Sequence, residues 1–437
     1  MQITTFQNLA QIIPFLERPS GDFADYRKQV IPVLAAVRQE GDAAVQRFTA
    51  QFEGYTPENL QITLSQQAAA VHQLTPALKN AIEQAYHNIK QFHALQKETP
   101  YEIETMPGVM CGRKSLPIER VGLYIPGGTA PLFSTVLMLG VPAQLAGCAQ
   151  VVLCTPSNKE GEIHPAVLFA AQLCGIHQIF GIGGAQAIAA MAYGTESVPK
   201  VWKIFGPGNP WVTAAKQLVF LDGTAIDMPA GPSEVAVIAD ESANPAFVAA
   251  DLLSQAEHGI DSQVVLICTD NNLISKVLEA VEEQVQQLPR QEISRAALAN
   301  SKAIGVKNMQ EAMLVSNIYA PEHLILQVEQ PEAYAALVTN AGSVFLGHFT
   351  PESAGDYASG TNHTLPTNGF ARAYAGVSLD SFMKKITFQT ITKVGLNNIG
   401  TTIMEMAHAE GLTAHARAVS IRMDALKMSY TVKSGIK

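Results

Sequence analysis

The stretch from Val121 to Asn158, VGLYIPGGTAPLFSTVLMLGVPAQLAGCAQVVLCTPSN, contains no charged residue, and how it is read decides the fold. On hydropathy alone, Leu132–Cys154 has the length of a membrane span. Gly140, Pro142, Gln144, Gly147 and Gln150 interrupt it, however, and cut it into strand-sized and helix-sized pieces. Buried parallel strands flanked by helices give the same charge-poor profile. The reading adopted is therefore a layered α/β domain with no membrane association.

The same texture continues on the C-terminal side. Val121–Ile125, Val151–Cys154, Gln178–Gly181 and Val201–Phe205 read as strands, each followed by turn residues and a helix. This alternation belongs to a parallel, doubly wound sheet. A second alternation follows. Val235–Ala239, Gln263–Thr269, Leu324–Val328 and Ser343–Leu346 read as strands, with helices over Pro245–His258 and about 272–288. Residues 1 to about 120 read as helical, with amphipathic stretches at Asp25–Phe48 and Pro76–Leu95; they supply packing and a candidate lid, with no chemistry of their own. The expected architecture is α/β: two doubly wound, Rossmann-like parallel-sheet domains plus smaller helical N- and C-terminal parts. Residues 1–25 form an N-terminal extension. Residues 26–120 and 235–378 form a discontinuous first domain, residues 121–234 an inserted one, and residues 379–437 a helical tail.

Composition narrows the function classes. A chain of 437 residues is too long for one core. A net charge of -9 argues against nucleic acid, which favours basic patches. Five cysteines without a CxxC pair read as reduced thiols in a cytoplasmic protein, and no signal peptide is apparent.

Three polar clusters stand out against this apolar background. Pro351-Glu-Ser-Ala-Gly-Asp356-Tyr-Ala-Ser-Gly-Thr-Asn-His363-Thr-Leu-Pro366 is dense in metal-binding and proton-moving groups, and Ser254-Gln255-Ala-Glu257-His258-Gly259 and Pro321-Glu322-His323 look like its partners. Gln255 and His258 are three apart and share a helix face. With Asp356, His363 and His415 they offer imidazoles, a carboxylate and an amide oxygen, a set suited to zinc or a similar divalent ion. Singly, each of these histidines also reads as an ordinary surface residue. Glu322-His323 sits at the mouth of a strand, where a histidine can take a proton from an alcohol and a glutamate can activate water.

Glycines mark three strand-to-helix turns: Tyr124-Ile-Pro-Gly127-Gly128-Thr129, Gly181-Ile-Gly183-Gly184-Ala185-Gln186 and Phe205-Gly206-Pro207-Gly208-Asn209. Such turns let backbone N–H groups approach a phosphate. The strict G-x-G-x-x-G fingerprint is absent, so NAD, if bound here, is bound in an atypical way. Tyr124, Gln186 and Asn209 are the polar contacts beside these turns.

Taken with Asp227-Met-Pro-Ala-Gly-Pro-Ser233-Glu234, these segments strongly resemble the histidinol dehydrogenase family from about residue 25 to about residue 430. The resemblance implies oxidation of L-histidinol through L-histidinal to L-histidine, with two NAD⁺ reduced, in histidine biosynthesis. It implies zinc ligands Gln255, His258, Asp356 and His415, and a catalytic pair of Glu322, which activates water, and His323, which acts as base. It further implies substrate contacts from Ser233, His363 and Glu410 alongside the zinc ligands and His323, NAD contacts from Tyr124, Gln186 and Asn209, and a homodimer whose C-terminal tail reaches the neighbouring site. A zinc hydrolase using the same metal and Glu322, or a non-catalytic metal-binding scaffold, are the competing classes. An older style of mechanism would use a cysteine, with Cys111 and Cys154 as candidates; Cys154 ends an apolar strand, where a thiol is a poor nucleophile.

Overall fold

The computed structural model describes residues 1–18, 23–127, 131–229 and 231–434, with the side chains of residues 23 and 428–434 not described. Gly128 and Thr129 of the first glycine turn, and residues 435–437, lie outside the described residues. Two compact units are present: Met1–Gln96 with Ile118–Phe382, and Lys97–Pro117 with Met383–Lys437.

The first unit holds two parallel sheets. The charge-poor stretch supplies the first two strands of one, Arg120–Tyr124 and Gln150–Thr155, separated by the buried helix Phe133–Ala146. Gln178–Gly181, Lys203–Phe205 and Ala225–Ile226 complete five strands. Numbered along the chain, their spatial order is 3-2-1-4-5, the doubly wound order. The other sheet repeats it. Glu234–Ala239, Gln263–Cys268, Lys302–Gly305, His323–Gln327 and Ser343–Leu346 are again ordered 3-2-1-4-5, and Gln2–Thr5 adds a parallel sixth strand beside Lys302–Gly305. Each sheet carries an apolar layer on both faces, as parallel sheets require. Among the described residues no helix is long and apolar enough to cross a membrane.

Helices Phe23–Glu40, Asp42–Glu53, Leu64–Val71 and Pro76–Ala94 pack on the helices of the five-stranded sheet. The helical reading of the first 120 residues thus holds for this part and misses Gln2–Thr5, Tyr101–Met106 and Val109–Pro117. The last two belong to the second unit, where Met383–Ile391, Val109–Pro117 and Tyr101–Met106 form an antiparallel sheet in that order. Helices Lys393–Ala409 and Thr413–Ser434 pack together in the same unit. The tail therefore contains a nine-residue strand that its helical reading omitted. Its partner strand lies far away in sequence, so no local pattern announces the pairing.

One buried contact ties helix Pro245–Ala256 to the sheet it covers: Gln327 Nε2 donates to Asp251 Oδ2 at 2.5 Å. Burial pushes the Asp251 carboxyl up to about 6, against the pull of that hydrogen bond. In the unfolded chain the group ionises near 3.8. Between these values the unfolded chain has lost the proton while the folded chain keeps it. The contribution of Asp251 is thus fully present below about pH 4 and is lost as pH rises toward 6. Asp251→Asn is expected to remove on the order of 2–3 kcal/mol of that pH dependence. Urea unfolding at pH 4, 5, 6 and 7 measures it, and identical pH profiles for variant and parent would contradict it.

Candidate active site

Helix Met309–Tyr319 ends on Ala320, which adopts the left-handed conformation (φ 54°, ψ 66°). For a residue with a Cβ this costs roughly 1–2 kcal/mol. The turn delivers Pro321-Glu322-His323 to the start of strand His323–Gln327, with Glu322 and His323 both buried. The neighbouring strand begins at Glu234, and the backbone of that residue clamps both side chains. The Glu234 N–H donates to Glu322 Oε2 at 2.9 Å, and the Glu234 carbonyl faces His323 Nδ1 at 3.1 Å. Glu234's own carboxylate is gripped by Arg18, Nε to Oε1 at 2.5 Å and Nη2 to Oε2 at 2.9 Å, and by the Asn368 N–H at 2.8 Å.

A carbonyl can only accept, so the neutral His323 ring carries its proton on Nδ1 and presents a lone pair at Nε2. That nitrogen is buried without a hydrogen-bond partner and lies 3.7 Å from Asp356 Oδ1. Burial pulls His323 down to about 4; Asp356 and the Glu234 carbonyl oppose this, and His258 and His363 reinforce it. The imidazole is therefore neutral at neutral pH, as a base must be. Burial holds Glu322 well above the ordinary carboxylate range, and the nearby Glu234 and Asp356 add to it, while the Glu234 N–H pulls the other way.

The polar stretch that begins at Pro351 opens with a short helix, Glu352–Tyr357. Its four-residue spacing puts Glu352 and Asp356 on one face, and donor atoms of His323, Glu352 and Asp356 all lie within 4.8 Å of one another. Glu352 was not singled out in the sequence. It is 1% exposed, neither carboxylate oxygen has a hydrogen-bond partner, and burial with the adjacent Asp356, Glu322 and Asp251 pushes it well above the usual range.

Gln255 lies in the last turn of helix Pro245–Ala256, which runs back so that its C-terminal end meets the starts of the strands. Its Nε2 lies 3.4 Å from Glu322 Oε2 and also 3.4 Å from His323 Nδ1. The shorter contact to the Glu234 carbonyl takes the His323 proton, which leaves Gln255 Nε2 to Glu322. Gln255 Oε1 is buried without a partner. His363 is fixed at both nitrogens, Nδ1 to the Asp356 carbonyl at 2.9 Å and Nε2 to Thr135 Oγ1 at 3.1 Å.

Gln255, His258, Glu322, His323, Asp356 and His363 line one cavity of about 700 Å³, and Ser233 and Asn209 line it too. It opens between the carboxyl ends of the five-stranded sheet, at Gly206–Asn209, and the amino ends of the six-stranded sheet. Open α/β sheets ordinarily use their carboxyl ends; here only one of the two does. At Gly206 (φ 125°) a Cβ would collide with the Tyr124 carbonyl. Asn209 caps helix Pro210–Leu221, its Oδ1 accepting from the Val212 N–H at 3.0 Å. Tyr124 and Gln186 are both buried and meet at the start of helix Gly184–Tyr193, outside that cavity lining. Glu410 and His415 belong to the second unit, on or beside its last helix, and are exposed in the single chain. Cys154 is fully buried and its thiol is pushed upward, which disfavours a nucleophilic thiolate.

Residues 16–423 match the family model described as histidinol dehydrogenase. The chain is 57% identical over 427 residues to a histidinol dehydrogenase of Bacteroides thetaiotaomicron, covering 98% of this chain and 100% of that protein. It is 52% identical over 431 residues to the histidinol dehydrogenase of Vibrio vulnificus, covering 98% and 99%. The crystal structure of histidinol dehydrogenase from Elizabethkingia anophelis superposes with a TM-score of 0.95 at 53% identity, covering 98% of this chain and 99% of that one. By this match over nearly its whole length, the chain belongs to the histidinol dehydrogenase family.

Proposed function

We propose that this chain oxidises L-histidinol through L-histidinal to L-histidine in histidine biosynthesis, using the side chains of the cavity described above. The observation that carries this reading is the clamp on Glu322 and His323, which leaves His323 Nε2 free in a buried, donor-rich pocket. The family is NAD-dependent and zinc-containing. The residues fit such a metal. Gln255 Oε1 is an orphaned amide oxygen, and the Glu352 and Asp356 carboxyls stand close together beside His323, an arrangement that favours a cation. Gln255, His258 and Asp356 would hold it, with His415 of the partner subunit as the fourth ligand. When bound, the metal supplies a fixed anchor for the imidazole and amine of histidinol, so that positioning carries much of the rate.

The protein's own groups divide the rest of the work. His323 Nε2 takes the hydroxyl proton while the adjacent carbon gives hydride to the nicotinamide. Glu322 takes a proton from the water that adds to the aldehyde, and His323 Nε2 returns its proton to the carbonyl oxygen, which restores the base and completes the diol. His323 then takes the proton of the resulting diol as the second hydride leaves for a second NAD⁺. Ser233 and His363, with the partner subunit's Glu410, contact the substrate. Tyr124, Gln186 and Asn209 contact NAD; Asn209 lines the same cavity as His323. The homodimer and a cytoplasmic location are part of the same proposal.

Two NADH per histidinol consumed are expected by absorbance, abolished by a chelator and restored by zinc, with Glu322→Gln stopping near one NADH as the aldehyde accumulates. A hydrolase would form no NADH, and that result would end the proposal. The shared site has its own test. Mixing His323→Ala and His415→Ala subunits should make about half the dimers hybrids, each with one intact site, and recover about a quarter of parental activity. No recovery after verified subunit exchange would contradict the trans arrangement.

A further inference from the structure

Helix starts after glycine turns take phosphates because their first N–H groups are unused. At helix Gly184–Tyr193 the first two are already used. The Gly183 N–H donates to Glu53 Oε1 at 2.9 Å, and the Gly184 N–H donates to Tyr124 Oη at 3.1 Å. Gln186 Nε2 donates to the same Glu53 oxygen at 3.1 Å. Gln186 is 1% exposed, and its Oε1 has no partner. Glu53 therefore turns this amide, taking its nitrogen side and leaving its oxygen side as an acceptor.

The carboxylate is brought in from far along the chain. Glu53 is the last residue of helix Asp42–Glu53, which Gly54 ends in the left-handed conformation (φ 71°). Gly183 leaves room for the approach: a Cβ there would lie 2.8 Å from Pro156 Cβ and 3.1 Å from Glu53 Oε1. Burial pushes the Glu53 carboxyl upward, and donors from Gly183, Gln186 and Ser157 pull it back toward the charged form.

We infer that Glu53 is a built-in anion standing where a dinucleotide phosphate would otherwise sit, so that it orients Gln186, keeps the cofactor loosely held and disfavours a cofactor with an extra ribose phosphate. The inference rests on the reading that Tyr124 and Gln186 contact NAD. Two negative groups beside one helix start repel each other, and the Gly183 and Gly184 N–H groups are already taken, so the cofactor gains less from this helix end. A four-electron oxidation uses two dinucleotides in succession, and a weakly held one exchanges quickly while the aldehyde stays in place.

The test is a fluorescence titration of the zinc-loaded dimer with NADH and NADPH in the absence of histidinol. Glu53→Gln keeps the shape and removes the charge. It should bind NADH roughly three- to tenfold tighter, with NADPH gaining at least as much. Glu53→Ala, which also frees the Gly183 N–H, should move both affinities the same way, and zinc content checks that each variant folds. Unchanged or weaker NADH binding in both variants overturns the inference. Gln186→Ala separates it from the cofactor reading. If that variant leaves NADH binding intact, the cofactor lies elsewhere and both readings fail. If it weakens binding while the Glu53 variants do not tighten it, only the role of Glu53 fails.

Discussion

Buried carboxyl groups without a compensating charge are costly, and this chain gathers several around one imidazole. Glu322, Glu352 and Asp356 approach His323, and burial drives Glu322 and Glu352 far from their ordinary ionisation. Gln255 Oε1, His323 Nε2 and both Glu352 oxygens are buried without hydrogen-bond partners. A well-packed protein leaves few such atoms. The site makes physical sense as one whose polar atoms face a cation and a polar substrate, which repay their desolvation.

The scaffold explains how these groups are held. Two sheets of the same doubly wound order meet carboxyl edge to amino edge around the cavity. The glycine turns come from one, and Glu322 and His323 with their clamp from the other. The backbone of a single residue, Glu234, orients both Glu322 and His323. Its side chain is locked in turn by Arg18 at a sequence separation of 216 residues. Rigid elements set the geometry, and the left-handed Ala320 sits one residue before Pro321-Glu322, where local strain is tolerated because packing over-determines it.

Much of this was legible in the sequence. Gln178–Gly181 and Ser343–Leu346 were read with their observed bounds, because short apolar runs between turn residues leave little choice. Gln255, Glu322, His323, Asp356 and His363 stand out in the sequence because polar groups cluster in otherwise apolar surroundings, and the fold brings them to one cavity. What escaped depends on distant partners. Arg18 and Glu53 lie in a region read as carrying no chemistry, and their roles appear only once Glu234 and Gly183 are beside them. Tyr101–Met106 alternates but is exposed along its length, and its sheet is completed by a strand from the tail. Glu352 is not legible in the sequence, because one turn of helix containing a glycine leaves no readable period.

The proposed function requires this cavity to converge on one metal ion that anchors an amino alcohol. X-ray data collected on both sides of the zinc absorption edge, from crystals grown with zinc and histidinol, test it most directly. The account predicts one anomalous peak per site, within bonding distance of Gln255, His258, Asp356, the partner subunit's His415 and the ligand. A peak held by other residues, or histidinol bound with no peak beside it, would contradict it.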